Sequence, residues 1–255
     1  FIKSICDPNF GIGANGVILV LNSIIKCDAK MVIYNSDGSE AEMCGNGIRC
    51  LIIFLKDKDV VKIDKKLVIE TLAGNINAKA ISPKLVEVNM GSPILDPKRI
   101  PTLMKIGECG LPQGTVTLSG VKYKAVSVGM GNPHLIVPMD NLNDIDIALW
   151  GNELENDIRF PNKTNVHFIN IRDRSNIDVV VWERGAGPTL ACGTGACACL
   201  VASYKLGLSE SKADIYLPGG KLKIKWDQTN NSVIMTGTAE KIFTGSIETS
   251  NTLNI

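Results

Sequence analysis

The chain has 255 residues, 45% hydrophobic, 21% charged and 5% aromatic, which suits a globular protein of two domains or one large α/β unit. Its 27 Lys and Arg nearly cancel 26 Asp and Glu, for a net charge of +1; no basic field favours nucleic acid or an anionic membrane, and a small molecule is the expected partner. No apolar run approaches the roughly 20 residues of a membrane span, and eight cysteines in so long a chain point to free thiols in a reducing compartment rather than a disulfide framework.

In chain order, Ile5-Cys6-Asp7-Pro8 reads as a helix end and turn, so the chain is expected to begin within a domain. A helix is predicted over Ile48–Leu55. Val116–Leu118 and Val121–Tyr123 flank Ser119-Gly120 as a hairpin. Asn143–Asn156 predicts a surface helix with Ile145, Ala148 and Leu149 on one side. A further helix, Ala196–Leu206, stops at Gly207. Leu222, Ile224 and Trp226 alternate between Pro218-Gly219-Gly220 and Asn230-Asn231, as a strand does. Most of the remainder alternates at period two, which indicates antiparallel sheet.

These elements repeat. Met31–Asn35 aligns with Val179–Glu183, and ten residues after each aromatic comes Cys-Gly-x-Gly: Cys44–Gly47 and Cys192–Gly195. Ile69–Ile76 then aligns with Ile215–Leu222. A period near 147 is too long for a solenoid and reads as two copies of one domain. The expected fold is α/β (α+β): two pseudo-symmetric domains, each a curved antiparallel sheet around a central helix. The halves are placed at 1–112 and 113–239, with 240–255 packing back onto the first. Copy two carries a loop, Gly129–His134, whose counterpart would precede Phe1, so a first strand and loop of copy one are expected upstream of this chain.

A cysteine just before a helix sits where free N–H groups and the helix dipole favour thiolate, and the glycines let an anion approach the first-turn amides. Two such units, brought face to face by pseudo-symmetry, would hold one carboxylate between them with a thiol on each side of its α-carbon. That arrangement suits inversion of the carbon: one sulfur removes a proton while the other returns one. The helix dipoles would stabilise the charge that develops on the carboxylate.

Tyr34–Cys50, with Asn35-Ser36-Asp37-Gly38-Ser39 and Cys44-Gly45-Asn46-Gly47-Ile48-Arg49, closely resembles the first active-site signature of diaminopimelate epimerases. Trp182–Gly187 with Ala191–Ala196 resembles the second. Phe10–Gly13, Gly131–His134 and Thr164–Val166 also match, and the likeness runs from Ile5 to near Ser246. The resemblance implies two β-barrel-like halves, each around a helix, and a homodimer. It also implies interconversion of LL- and meso-diaminopimelate without cofactor or metal, in lysine and peptidoglycan precursor biosynthesis. It makes Cys44 and Cys192 the base and acid. Gly45, Asn46, Gly193 and Thr194 would offer amides to the reacting carboxylate. Asn35, Asn132, Asn165, Glu183 and Arg184 would address the substrate's polar ends, and His134 would influence the thiols. It places the protein in the bacterial cytoplasm, or in the plastid stroma of a photosynthetic eukaryote.

One departure is Asn15, where the family has Asp in Gly-Ala-Asp-Gly. Cys50, Cys197 and Cys199 read as core fillers, and His167 as a surface or satisfied histidine rather than a base. Trp182 and Tyr34 are expected to pack beneath the cleft. Two histidines and no Cys-x-x-Cys argue against zinc. The alternatives are another cofactor-free racemase or isomerase, such as a proline-racemase-like enzyme, and an inactive paralogue. Glu183, Arg184, Asn35 and Asn165 argue against the first, since a substrate without a distal zwitterion would not use them. Retention of both cysteines opposes the second.

Overall fold

The computed structural model describes residues 1–247. In chain order the elements are α1 (Ile2–Cys6), β1 (Gly16–Leu21), β2 (Ala29–Asn35), β3 (Glu40–Ala41), α2 (Gly45–Asp57), β4 (Leu67–Thr71), β5 (Gly74–Ala80) and β6 (Leu85–Asn89). They continue with β7 (Lys105–Ile106), β8 (Pro112–Leu118), β9 (Val121–Gly129), β10 (Pro133–Pro138), α3 (Ile147–Glu155), β11 (Asn165–Asp173), β12 (Asn176–Glu183) and β13 (Gly187–Thr189). The last are α4 (Gly193–Lys205), β14 (Lys212–Leu217), β15 (Gly220–Asp227) and β16 (Ser232–Thr238). The expected hairpin of β8 and β9 and both expected cysteine-led helices are present.

The strand register repeats along with the sequence. Ala29 lies beside Ile69 in a parallel pair, and Ile177 beside Ile215 in another. Ile69 opposes Ile76, as Ile215 opposes Leu222. Tyr34 opposes Glu40, as Trp182 opposes Pro188. Loop contacts repeat too: Ala73 N–H donates to the Glu42 carbonyl and Gly219 N–H to that of Leu190. The architecture is α/β, with helices enclosed by a large sheet.

Two features go beyond the sequence reading. First, β6 and β16 pair, so both halves share one continuous sheet of order β1-β2-β4-β5-β6-β16-β15-β14-β12-β11-β10-β9-β8-β7. Secondly, the pairs β2·β4, β10·β11 and β12·β14 are parallel. Each spans a helix, because a parallel connection needs a crossover that a tight turn cannot make. Strand pairing also groups the segment from Ile94 to Pro112 with the second half: Ile94 bridges Gly129, and β7 pairs with β8, inside which the expected 112/113 boundary falls. After β16, Ala239 N–H donates to the Lys84 carbonyl, and Lys241 pairs with Asp57 at 3.0 Å. Residues 248–255 of the expected C-terminal segment lie outside the described residues.

The two central helices differ in how completely they are wrapped. Every residue of α4 from Gly195 to Ser203 is buried, which only a run of Gly, Ala, Cys, Leu, Val and Ser permits with sheet on all sides. In α2, Ile48, Leu51, Ile52 and Leu55 are buried but Cys50 and Phe54 are exposed. This corrects Cys50 as a core filler. The strands β9 and β10 cover α4 beyond β11. Cys197 and Cys199 are buried as expected.

The helix predicted over Asn143–Asn156 is shorter and turned the other way. It runs from Ile147 to Glu155, capped by the Asp146 carboxylate accepting from Leu149 N–H at 3.0 Å. Trp150, Gly151, Leu154 and Glu155 face inward while Ala148 and Leu149 are exposed. Gly151 lies flat on the Trp182 ring, where an added Cβ would come within 2.5 Å. A glycine and an acid thus form part of the packing face, so the apolar residues alone misplaced it. Trp182 therefore packs under α3, not beneath the cleft, and Tyr34 shares its register on the face opposite Ile33. Between α3 and α4, β11 is buried on both faces, and Val166, His167 and Phe168 are all enclosed. Among the described residues no helix is long and apolar enough to cross a membrane.

Replacing a fully enclosed α4 side chain leaves a void, so Leu200→Ala is expected to destabilise the protein by about 2–5 kcal/mol. Phe54→Ala, at an exposed residue of α2, is expected to cost much less. Chemical denaturation of both variants checks the contrast; equal losses would contradict the unequal wrapping.

Candidate active site

Cys44 and Cys192 occupy the same position in the two halves, each the N-cap of its helix with extended backbone: φ −140° and ψ 117° at Cys44, φ −124° and ψ 111° at Cys192. The helix starts abut. A Cβ on Gly193 would lie 3.7 Å from the Cα of Gly45 and 3.2 Å from Met235 Sδ. A Cβ on Gly45 would lie 3.0 Å from Met235 Cε and 3.2 Å from Met90 Cε. A side chain at either glycine would have to displace Met90 or Met235. By position, the N–H groups of Gly45, Asn46, Gly193 and Thr194 have no acceptor within their own helix. Two sets of free amides and two positive dipole ends thus converge on one place, as the repeat predicts.

The sulfurs differ. Cys44 is half-buried and accepts from Gly47 N–H at 3.4 Å. Cys192 is buried, 3.5 Å from Thr194 Oγ1. Burial, and next the nearby Glu183 carboxylate, push the Cys192 thiol up to about 12, against the smaller opposing pull of Thr194 and Gly195 N–H. This corrects the expectation that a helix start favours thiolate at both positions. At Cys192 desolvation outweighs the dipole, and the resting group is a thiol.

Asn132, His134, Asn165, Glu183 and Arg184 form a connected second-half wall. Asn165 Nδ2 donates to the Pro133 carbonyl at 3.0 Å, and its Oδ1 accepts from Arg184 N–H at 2.9 Å, tying the Gly131–His134 loop to the Glu183-Arg184 segment. That leaves Asn165 one N–H and one lone pair for a ligand. Glu183 accepts from Thr189 Oγ1 at 2.6 Å, and Arg184 Nη1 donates to the Asn162 carbonyl at 3.0 Å. The segment is braced from behind by Glu155, which accepts from Trp182 Nε1 at 2.6 Å and Gly185 N–H at 3.1 Å. Burial works against ionising Glu155, but these bonds and Lys163 outweigh it and hold the carboxyl below the usual range. In the first half, Asn46 begins α2 with its Oδ1 buried and unpartnered. Asn35 is exposed and bonds only within its own turn, to Ser39 Oγ at 3.0 Å, with no direct tie to the cysteines among the described residues.

Two residues to which the sequence assigns no role at the site lie against the helix starts. Arg49 is buried without a carboxylate partner among the described residues; it donates to Thr238 O at 3.1 Å, Gly45 O at 3.3 Å and Met235 Sδ at 3.7 Å. It stitches the first turn of α2 to β16 and brings a cation to the helix start, and its burial pulls its pKa down. His167, expected to be superficial or satisfied, is fully buried against the first turn of α4, where a Cβ on Gly195 would come within 2.2 Å of its ring. It meets His134, Nδ1 of His134 lying 2.8 Å from Nε2 of His167. Among the described residues no group of three His, Cys, Asp or Glu could hold a metal ion. A surface groove of about 560 Å³ beside Asn170, Arg172 and Tyr216 contains none of the site residues.

The fold is shared with solved structures of epimerases and phenazine biosynthesis proteins. One is a hydroxyproline epimerase from Agrobacterium vitis, with a TM-score of 0.65 and 14% identity over 93% of this chain and 76% of that one. Another is a putative phenazine biosynthesis protein from Clostridium difficile, with a TM-score of 0.65 and 14% identity over 97% of this chain and 87% of the other. At such identity the likeness concerns the fold alone. The particular family is set by sequence: the diaminopimelate epimerase family profile matches residues 1–95 and 126–242. A diaminopimelate epimerase from Prochlorococcus marinus (strain NATL1A) is 51% identical over 97% of this chain and 87% of its own length. One from Acaryochloris marina is 48% identical over 96% and 87%. The chain belongs to the diaminopimelate epimerase family.

Because Glu183 raises the Cys192 pKa, Glu183→Gln is expected to lower the pH at which Cys192 becomes alkylated by iodoacetamide. Alkylation rates from peptide mapping across pH 7–11, which follow the thiolate fraction below the pKa, check this, and unchanged rates would remove Glu183 as a cause.

Proposed function

We propose that this protein interconverts LL- and meso-diaminopimelate by proton transfer between two cysteines at the α-carbon. The observation that carries the reading is the abutment of two cysteine-capped helix starts, with Gly45 and Gly193 in contact range. One sulfur, as thiolate, takes the α-proton. The electron pair spreads into the adjacent carboxylate, whose oxygens gain charge against the amides of Gly45, Asn46, Gly193 and Thr194. The opposite thiol returns its proton to the other face, and the two sulfurs exchange states. Cys192, held as a thiol by burial and Glu183, suits the donor role in the resting protein.

The distal end of the substrate is also zwitterionic. Arg184 can fork onto a carboxylate, Glu183 can take an ammonium, and Asn35, Asn132 and Asn165 can supply amides. The sulfurs and the backbone amides account for each proton and each developing charge, so the proposed step uses neither cofactor nor metal. Family resemblance supports a homodimer and a place in lysine and peptidoglycan precursor synthesis. Bacterial relatives support a cytoplasmic setting, or the plastid stroma for a chain of photosynthetic eukaryotic origin.

Incubation with LL-diaminopimelate in D2O, followed by NMR, should show loss of the α-proton signal and formation of meso product. Cys44→Ala and Cys192→Ala should each lower the rate by at least about 10²–10⁴-fold, the range for an acid or base, with the fold intact by circular dichroism. Substantial turnover in either variant would refute the two-cysteine assignment. Exchange with proline but not diaminopimelate would instead favour a racemase of another specificity.

A further inference from the structure

His167 and Ile18 are structural counterparts. Ile18 pairs with Ile33 next to the Val17–Tyr34 pair, and His167 pairs with Val181 next to Val166–Trp182. Each faces the third residue of its helix: Gly47 packs on Ile18, and Gly195 on the His167 ring. One half thus solves the packing with an aliphatic side chain, while the other buries an imidazole at the same place. Burying a polar ring costs free energy unless its hydrogen bonds are met, and His167 Nδ1 has no partner. Packing alone does not account for the histidine.

The hydrogen-bond chain does. His167 Nε2 meets His134 Nδ1 at 2.8 Å, and His134 Nε2 meets Asn132 Oδ1 at 2.7 Å. Burial pulls His167 down to about 3, and burial with His167 and Arg184 pulls His134 well below its ordinary value, so both rings are neutral and each carries one N–H. Only two proton arrangements fit. If His134 carried its proton on Nδ1, His167 would have to carry its own on Nδ1, leaving a buried N–H without an acceptor. It would point that donor at the positive end of α4. In the other arrangement His167 donates from Nε2 to His134 Nδ1, and His134 donates from Nε2 to Asn132 Oδ1. The unpartnered His167 Nδ1 is then a bare lone pair beside a helix start, which is the cheaper state.

We propose that His167 is a positioning residue which fixes the tautomer of His134 and so pins the Asn132 amide by its oxygen, leaving the Asn132 N–H2 as a donor to a carboxylate oxygen of the substrate. Without that chain the amide can turn over and present a lone pair to the carboxylate. The proposal rests on the reading of Asn132 as a substrate-binding residue.

With two histidines in the chain, 15N-histidine labelling gives a spectrum of two rings, assigned by the His167→Gln variant. Both rings are expected neutral and protonated on Nε2 at pH 7. A His134 proton on Nδ1 would overturn the proposal, and this readout needs neither turnover nor the identity of the substrate. Kinetics with diaminopimelate supply the second arm. His167→Leu should raise KM about tenfold, the weight of one lost hydrogen bond to a charged group. His167→Gln, whose amide can donate to His134 Nδ1, should recover most of that loss. Leu and Gln variants with equal KM would show a packing role only and overturn the proposal. Absence of wild-type turnover, with the tautomers as expected, would count against the epimerase reading and leave the hydrogen-bond chain standing.

Discussion

Two helix starts meet in this protein, and most of its design follows from letting them do so. Helix N-termini carry partial positive charge and repel one another unless an anion lies between them. Their approach here is close enough that a Cβ on Gly193 would touch the Gly45 Cα, with Met90 and Met235 filling the space beside both glycines. What the sheet achieves mechanically is to hold α2 and α4 in this opposition: β6 pairs with β16, and Arg49 ties the first turn of α2 to β16. A substrate carboxylate would relieve the strain of two like poles, so affinity and transition-state stabilisation draw on the same feature.

The two cysteines, equivalent by descent from one repeat, have been made chemically unequal by their surroundings. Cys192 is buried beside Glu183, whereas Cys44 is half-buried and accepts from Gly47 N–H. A symmetric reaction therefore runs on an asymmetric frame. The asymmetry extends to the wall of the site, where the second half supplies the braced segment of Trp182 to Gly185 and the buried His134–His167 pair. The first half offers an aliphatic residue, Ile18, at the matching place. The helix α3, whose place before β11 matches that of α1 before β1, is the element that braces this wall through Glu155.

Much of this could be read from the residues. The repeat, the cysteine at each helix start and the glycines beside it follow from local rules: period, capping and turn chemistry act over a few residues and leave a mark in sequence. The same rules failed at α3, where the inward face includes Gly151 and Glu155, because a glycine can lie flat on an indole and an acid can be buried when its oxygens are bonded. His167 was undervalued for a similar reason. Alternation along a strand cannot tell one buried face from two, and β11 is covered by α4 on one side and α3 on the other. Only the strand register sets His167 in the place of Ile18, one residue away from where the repeat offset alone would put it.

The sequence by itself determined the duplication, the family, the paired thiols and the glycine-rich first turns, since each is a matter of neighbours along the chain. The tertiary structure decided that the halves share one sheet, that Cys192 rests as a thiol, that Asn165 is largely occupied in clamping two loops, and that the histidines form a chain ending on Asn132. Each of these depends on desolvation or on contacts between residues far apart in sequence. Free energies of that kind are set by what surrounds a group in space, which local sequence does not record.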